Sequence, residues 1–210
     1  MKEASRVGRI AGIAQIVASD PGQARFLPAW GRVLRKSPLT SRLPWLPFRV
    51  IERLEKHLTN ESRVFEFGGG GSTLWFADRV GEVVTVEHDD DWFRALKDAV
   101  SGRDNCQVLY RAADDDFAGY VGVIADYADG YFDVVVVDGR NRIRCLQSAM
   151  GKVRPGGLLI LDDSDRARYS EAFMIATAWP HVTYRGLTPS KAIAGVTTVW
   201  RRPALVASSQ

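Results

Sequence analysis

The sequence predicts a doubly wound α/β fold, and three observations carry that expectation. Short runs rich in β-branched residues alternate with segments whose apolar residues recur at helical spacing. The short runs are apolar on both faces, which suits strands of a parallel sheet covered on both sides. Near the C-terminus the alternation gives way to two strand-like runs joined by a loop of about ten residues, as in a terminal antiparallel pair.

The first predicted strand is Val64 to Phe67, followed by a glycine turn and a helix from Ser72 to Val80. Val83 to Glu87 and Cys106 to Tyr110 are the second and third strands, separated by a helix over Asp91 to Val100. A helix over Phe117 to Asp126 leads to the fourth strand, Phe132 to Val137, and a helix over Arg142 to Lys152 leads to the fifth, Gly157 to Leu161. A further helix from Ala167 to Trp179 stops at Pro180, and His181 to Arg185 pairs with Val196 to Arg201. Seven strands result.

Upstream, Ile10, Ile13, Ile16 and Val17 give a weakly amphipathic run, interrupted at Asp20-Pro21-Gly22 and followed by Phe26 and Trp30. Two prolines three apart keep Leu43 to Pro47 extended, and Val50, Ile51, Leu54 and Leu58 mark a helix from Phe48. The chain therefore divides into a helical extension, residues 1–42, and a sheet domain, residues 43–210.

With 210 residues, 46% of them hydrophobic, the chain can fill one core, which excludes a disulfide-stapled miniprotein and a disordered tail. No apolar run reaches the roughly 18 residues that span a bilayer, and no cleavable leader is evident, so the expected location is the cytoplasm. Cys106 and Cys145 have no CxxC spacing and read as small buried hydrophobes. The net charge of +3 conceals a basic extension: residues 1–50 carry nine Lys or Arg against Glu3 and Asp20, and the remainder is net acidic. Such an arm suits weak peripheral contact with an anionic membrane, while the acidic body argues against a specific nucleic-acid partner.

The chemistry concentrates at VFEFGGGGSTLW. Gly68, Gly69, Gly70 and Gly71 let the backbone approach a ligand, and the helix opening at Ser72 and Thr73 presents amide N–H groups to an anion. Glu87 ends the second strand, where a carboxylate can accept both hydroxyls of a ribose. Glu66, two residues before the glycines, suits a cofactor that carries a cation, and Thr73 occupies the place of the third glycine of the dinucleotide fingerprint. The charge pattern favours S-adenosylmethionine over NAD. An NAD-dependent oxidoreductase and a noncatalytic binding protein using the basic arm are the competing readings; the former lacks a Tyr-x-x-x-Lys or a hydride-site histidine.

GGGGST, VEHD, VDGR and LDDSDR, in that order, resemble the class I S-adenosylmethionine-dependent methyltransferases, and most of all a small bacterial type. The resemblance covers residues 43–203. It implies a Rossmann-like, mostly parallel seven-stranded sheet that ends in an antiparallel pair, with residues 43–210 as the cofactor-binding domain. It implies that Glu66, Gly68 to Gly71, Ser72 and Thr73 hold the methionine part, that Glu87 holds the ribose, that His88 packs on the adenine and that Asp114 meets its amine.

Asp138, Asp162 and Asp163 follow the fourth and fifth strands, which places carboxylates beside the glycine loop. Methyl transfer needs an aligned nucleophile and a base for its proton, and Asp138 and Asp163 are the candidates. The related catechol O-methyltransferase type binds magnesium through acids at these strand ends and an Asn. Here Ser164 replaces that Asn, so a divalent metal on Asp138, Asp163 and Asp165 is allowed for but not favoured, and no metal ligand is assigned. Arg140 and Arg142, with Arg144, Arg166 and Arg168 nearby, suit an acidic or phosphorylated small-molecule acceptor. The expected activity is methyl transfer to a small or glycosidic acceptor, at oxygen. The sequence gives no reading of oligomeric state.

Overall fold

The computed structural model describes residues 6–113 and 116–204. One seven-stranded sheet has the order β3-β2-β1-β4-β5-β7-β6, where β1 is Arg63–Phe67, β2 Glu82–Glu87, β3 Cys106–Tyr110, β4 Phe132–Val137, β5 Val153–Asp162, β6 His181–Gly186 and β7 Gly195–Arg201. β1 to β5 run parallel; β7 pairs antiparallel with β5 and β6 antiparallel with β7. The expected doubly wound, mostly parallel sheet with a terminal antiparallel pair is thus what forms.

The two-residue period of each strand sorts its side chains between two cores. Phe65, Phe67, Val84, Val86, Val135, Val137, Leu159 and Leu161 face one side, where they meet Tyr120, Leu146, Ala149 and Trp179. Val64, Val83, Val134, Val136, Leu158 and Ile160 face the other side, against Val50, Ile51 and Leu54 of a helix over Phe48–His57 and Trp75 and Phe76 of a helix over Gly71–Ala77. Both faces are apolar because both are covered, the property by which the strands read as continuous hydrophobic runs.

Helices are numbered in chain order: α1 Arg6–Ser19, α2 Leu27–Val33, α3 Pro38–Ser41, α4 Phe48–His57, α5 Gly71–Ala77, α6 Asp90–Ala99, α7 Ala118–Gly122, α8 Arg142–Ala149 and α9 Glu171–Ile175. Two depart from expectation. The segment predicted as one helix over 117–126 tightens after Gly122 into a 3-10 turn, Val123–Asp126. The segment predicted over 167–179 is a 3-10 turn, Ala167–Tyr169, followed by the short α9, with Tyr169, Ala172, Ala176 and Trp179 anchoring each turn to the core. Apolar spacing is shared by one long helix and two short ones, so burial decides between them. β5 also starts earlier than expected. Val153 pairs with Phe132, and Pro155-Gly156-Gly157 is absorbed where the register with β4 shifts.

The N-terminal helices contribute to the core. Ile13, Ile16, Phe26 and Val33 are buried, and Phe26 stacks on Phe48 with ring centroids 5.3 Å apart. They also brace the loop between β6 and β7: Gln23 Oε1 accepts the Leu187 N–H, Trp30 Nε1 donates to the Lys191 carbonyl and Ser190 Oγ donates to the Val33 carbonyl. Cys145 is buried and Cys106 only half-buried, a departure from the expectation that both are enclosed; both thiols are free, and burial pushes each up to about 12. No described helix is long and apolar enough to cross a membrane.

Gln23 is 1% exposed, so its replacement by Ala leaves the Leu187 N–H buried without its acceptor. Gln23→Ala is expected to lower stability by about 1–3 kcal/mol in urea unfolding, with native far-UV dichroism retained. Stability equal to the parent chain would show that the Gln23–Leu187 hydrogen bond contributes nothing to the fold.

Candidate functional site

The strand order reverses between β1 and β4, which are adjacent in the sheet although not in sequence, and the loops leaving their C-terminal ends open a crevice there. Asp138 N donates to the Phe67 carbonyl, which draws the two loops together, and Gly68 N donates to the Val86 carbonyl of β2. Gly68 has φ +86°, and a Cβ on it would lie 2.8 Å from Gly139 Cα, so neither conformation nor space admits a side chain. A cavity of about 830 Å³ lies above these loops. Its walls are Gly68 to Gly71, Ser72, Glu87, His88 and Trp92 on one side and Asp138, Arg140, Arg142, Arg166, Arg168 and Tyr169 on the other, with Pro38, Leu43 and Trp45 closing it from the N-terminal segment.

Hydrogen bonds of both polarities hold the glycine loop. Gly69 N donates to Glu87 Oε2 at 3.3 Å, Gly70 N donates to Thr73 Oγ1 at 3.1 Å, and the Gly69 carbonyl accepts Trp92 Nε1 at 2.8 Å. A Cβ on Gly69 would overlap Leu96 and Thr85, whereas one on Gly70 would find nothing closer than 3.8 Å. The loop is therefore packed underneath and open above. Glu87 is 4% exposed, and its Oε1 accepts the amides of His88 and Asp89 at 2.7 and 3.0 Å. A carboxylate has about four acceptor positions, so Glu87 retains capacity toward the cavity. His88 Nδ1 lies 2.8 Å from Glu87 Oε1 without the alignment of a hydrogen bond, and its ring stands 5.8 Å from those of Phe117 and Tyr120.

Two residues expected to touch a cofactor lie behind the loop instead. Glu66 and Thr73 are fully buried and do not line the cavity. Glu66 Oε2 accepts Thr85 Oγ1 at 2.9 Å; burial pushes its carboxyl up to about 7, against the hydroxyls of Ser72, Thr73 and Thr85. It supports the loop from below rather than presenting a charge to a ligand. Asp114 lies outside the described residues.

The acidic rim also differs from the expectation. Asp138 faces the cavity, but Asp163 does not line it. Asp163 leaves β5 with φ +51°, and its carboxylate is taken up by Arg166 Nη2 and, at 3.6 Å, by Arg142 Nη1. The carboxylate beside Asp138 is that of Asp162, which is 1% exposed and accepts Thr197 Oγ1 at 2.6 Å. Burial, then the neighbouring Asp138, pushes Asp162 up to about 7, while Lys191, 3.9 Å away, opposes the shift. Burial likewise raises Asp138 against the pull of Arg142 and Lys191. Asp162 is expected at this rim from the sequence, with Asp163 as the candidate; in the structure Asp162 is the last residue of β5.

Arg142 is 8% exposed and its guanidinium is spent on the protein. Nε donates to the Gly139 carbonyl, Nη1 to the Asp162 carbonyl and Nη2 to the Asp138 carbonyl, with Nη2 also 2.9 Å from Asp138 Oδ1. It lines the cavity, where an acceptor role was expected of it, and it ties the ends of β4 and β5. Arg144 pairs with Asp116 and Arg166 with Asp163, whereas Arg140 and Arg168 line the cavity with no carboxylate partner among the described residues. Ligand oxygens of Asp138, Asp162 and Asp163 fall within 4.8 Å of one another, a spacing a hard cation can use, but the Arg142 guanidinium already serves this group. Asp165, half-exposed, sits 3.8 Å from Arg185 instead.

No protein-family model and no curated protein matches the sequence. Solved structures do match. An rRNA methylase from Streptococcus thermophilus superposes with a TM-score of 0.57 at 12% identity, over 80% of this chain and 98% of that one. The chain has the class I methyltransferase fold. A protein from Streptococcus mutans in complex with SAH, the demethylated cofactor, gives 0.55 at 10% identity over 76% and 99%. A precorrin 8w decarboxylase from Methanobacterium thermoautotrophicum gives 0.52 at 17% over 73% and 87%. The names span different acceptors and reactions, so the fold by itself leaves the reaction to the site.

The raised carboxyls give the site a pH signature. Asp162 and Glu66 each hold a proton in the folded chain at pH values where an unfolded carboxyl, near pH 4, is ionised. Their contribution to stability is therefore complete below about pH 4 and is lost as pH rises toward 7. Asp162→Asn and Glu66→Gln, compared with the parent chain by urea unfolding at pH 5 and pH 8, are each expected to gain relative stability at the higher pH. An unchanged pH dependence in both variants would contradict the burial assigned to these groups.

Proposed function

We propose that the protein is an S-adenosylmethionine-dependent methyltransferase acting on a small-molecule or glycosidic acceptor at oxygen. The observation that carries this reading is the shared cavity, whose one wall joins the glycine loop to Glu87 and whose other wall presents Asp138 beside Asp162. The residues fit the cofactor. The open upper side of Gly70, with Gly68, Gly69, Gly71 and Ser72, would hold the methionine part; Glu87 would hold the ribose hydroxyls; His88 would meet the adenine. When bound, S-adenosylmethionine supplies an electrophilic methyl group on a sulfonium.

The chain's own contribution is alignment and proton removal. Asp138 takes the acceptor proton on its carboxylate, whose affinity for a proton is raised by burial in the desolvated corner that it shares with Asp162. Arg142 is a positioning residue that fixes Asp138 by bonding both its carbonyl and its carboxylate. Asp163 acts through Arg142 and Arg166 and does not meet the reacting atoms. Arg140, with Arg168, faces an anionic group of the acceptor, because neither guanidinium has a carboxylate partner among the described residues.

Calorimetry is expected to show S-adenosylhomocysteine binding in the absence of acceptor and no binding of NADH. Glu87→Gln should weaken that binding at least tenfold, a loss of about 1.4 kcal/mol. With an acceptor found by methyl-label transfer to fractionated metabolites, Asp138→Asn should lower the rate about 10²- to 10⁴-fold at unchanged S-adenosylhomocysteine affinity. Absence of any S-adenosylhomocysteine binding by the native protein would defeat the proposal.

A further inference from the structure

A second pocket, of about 480 Å³, lies between α4 and the antiparallel strands and shares no lining residue with the cofactor cavity. α4 supplies one wall through Arg49, Glu52, Arg53, Lys56 and His57, spaced to form one stripe along the helix, opposite the buried Val50, Ile51 and Leu54. Leu158, Tyr184 and Arg201 close it from β5, β6 and β7.

Its charge is uncompensated. Arg25 is neutralised by Glu52 and Arg49 by Asp20. Arg53, Lys56 and Arg201 have no carboxylate partner among the described residues; Arg53 reaches only the Tyr184 hydroxyl, at 3.1 Å, and Arg201 Nε the Gly156 carbonyl, at 3.2 Å. Two nitrogens in this wall, Arg53 Nε and His57 Nε2, are buried without a hydrogen-bond partner. A buried donor left without an acceptor is costly, and at Arg53 the guanidinium also lacks a counter-charge among the described residues. An acceptor anion in the pocket supplies a partner to Arg53 Nε and, when the imidazole is protonated, to His57 Nε2.

We propose that this pocket is a second binding site, for a phosphate-type dianion carried by a soluble small ligand. A tetrahedral dianion accepts hydrogen bonds from several directions, which matches cations converging from α4 and from β7. The recess admits a ligand somewhat larger than the anion itself, with Tyr184 and the Leu158 side as its less polar floor. The site lies apart from the proposed methyl transfer and holds whether or not that reading survives.

His57 reports on it directly. Burial lowers its affinity for a proton, and Arg154, Arg201 and Arg53 lower it further, with Asp133 alone opposing them. An anion among these cations reverses the balance. The chain has three histidines, so imidazole signals followed by NMR over pH distinguish His57 from His88 and His181. Inorganic phosphate is expected to raise the His57 midpoint by about one unit relative to sodium chloride at equal ionic strength, equivalent to roughly tenfold tighter binding by the protonated form. His181 should not respond. Lys56→Gln, at an exposed position, and Arg53→Gln should each abolish the difference. Equal midpoints in phosphate and chloride, or a shift that survives both substitutions, would overturn the site.

Discussion

The geometry of the whole cavity follows from one backbone contact at the point where the strand order reverses. The loop after β1 and the loop after β4 approach until Gly68 and Gly139 leave no room for a side chain on either. Gly139 would drive a Cβ into the Tyr120 hydroxyl and to 3.0 Å from the Phe67 carbonyl, so substitution there would part the strands beneath. Because the loops are locked, residues from the ends of β1, β2 and β4 line one cavity although about fifty residues separate Glu87 from Asp138 in the chain. The glycines thus serve packing below and ligand access above.

Electrostatics completes what packing begins. Asp138, Asp162 and Asp163 crowd one corner, and such a group of carboxylates is tolerated only with a counter-charge and with protons retained. Arg142 supplies the first by spanning the ends of β4 and β5, and burial secures the second at Asp162. Arg142, two residues past VDGR, is therefore the arginine most occupied by the protein, while Arg140 of the motif itself remains free of a carboxylate partner among the described residues. Which arginine binds and which braces depends on a difference of two positions at the start of a helix.

The N-terminal segment bears on the site more than its composition suggests. Pro38, Leu43 and Trp45 reach the cavity, the carbonyls of Pro38 and Leu43 crowd Gly71, and Trp30 and Val33 hold the loop that carries Lys191 to the acid pair. Its basic residues are partly spent at home, as in the pairing of Arg42 with Asp78 and Arg49 with Asp20. A count of charges along a chain does not reveal such pairing, since partners such as Arg42 and Asp78 meet only after folding.

The sequence by itself determined the strands, their two-sided burial, the glycine turn, and Glu87 and Asp138 at strand ends, because each depends on local periodicity or on position relative to one strand. The tertiary structure decided the rest. Glu66 and Thr73 went beneath the loop because the β1 pleat points the Glu66 side chain toward Thr85 on β2. Asp162 replaced Asp163 at the proton-bearing corner because the chain turns at Asp163, and Arg142 became a brace because its guanidinium found three carbonyls within reach. Burial and pairing are properties of what lies across space from a residue, and that information is not carried by its neighbours in sequence.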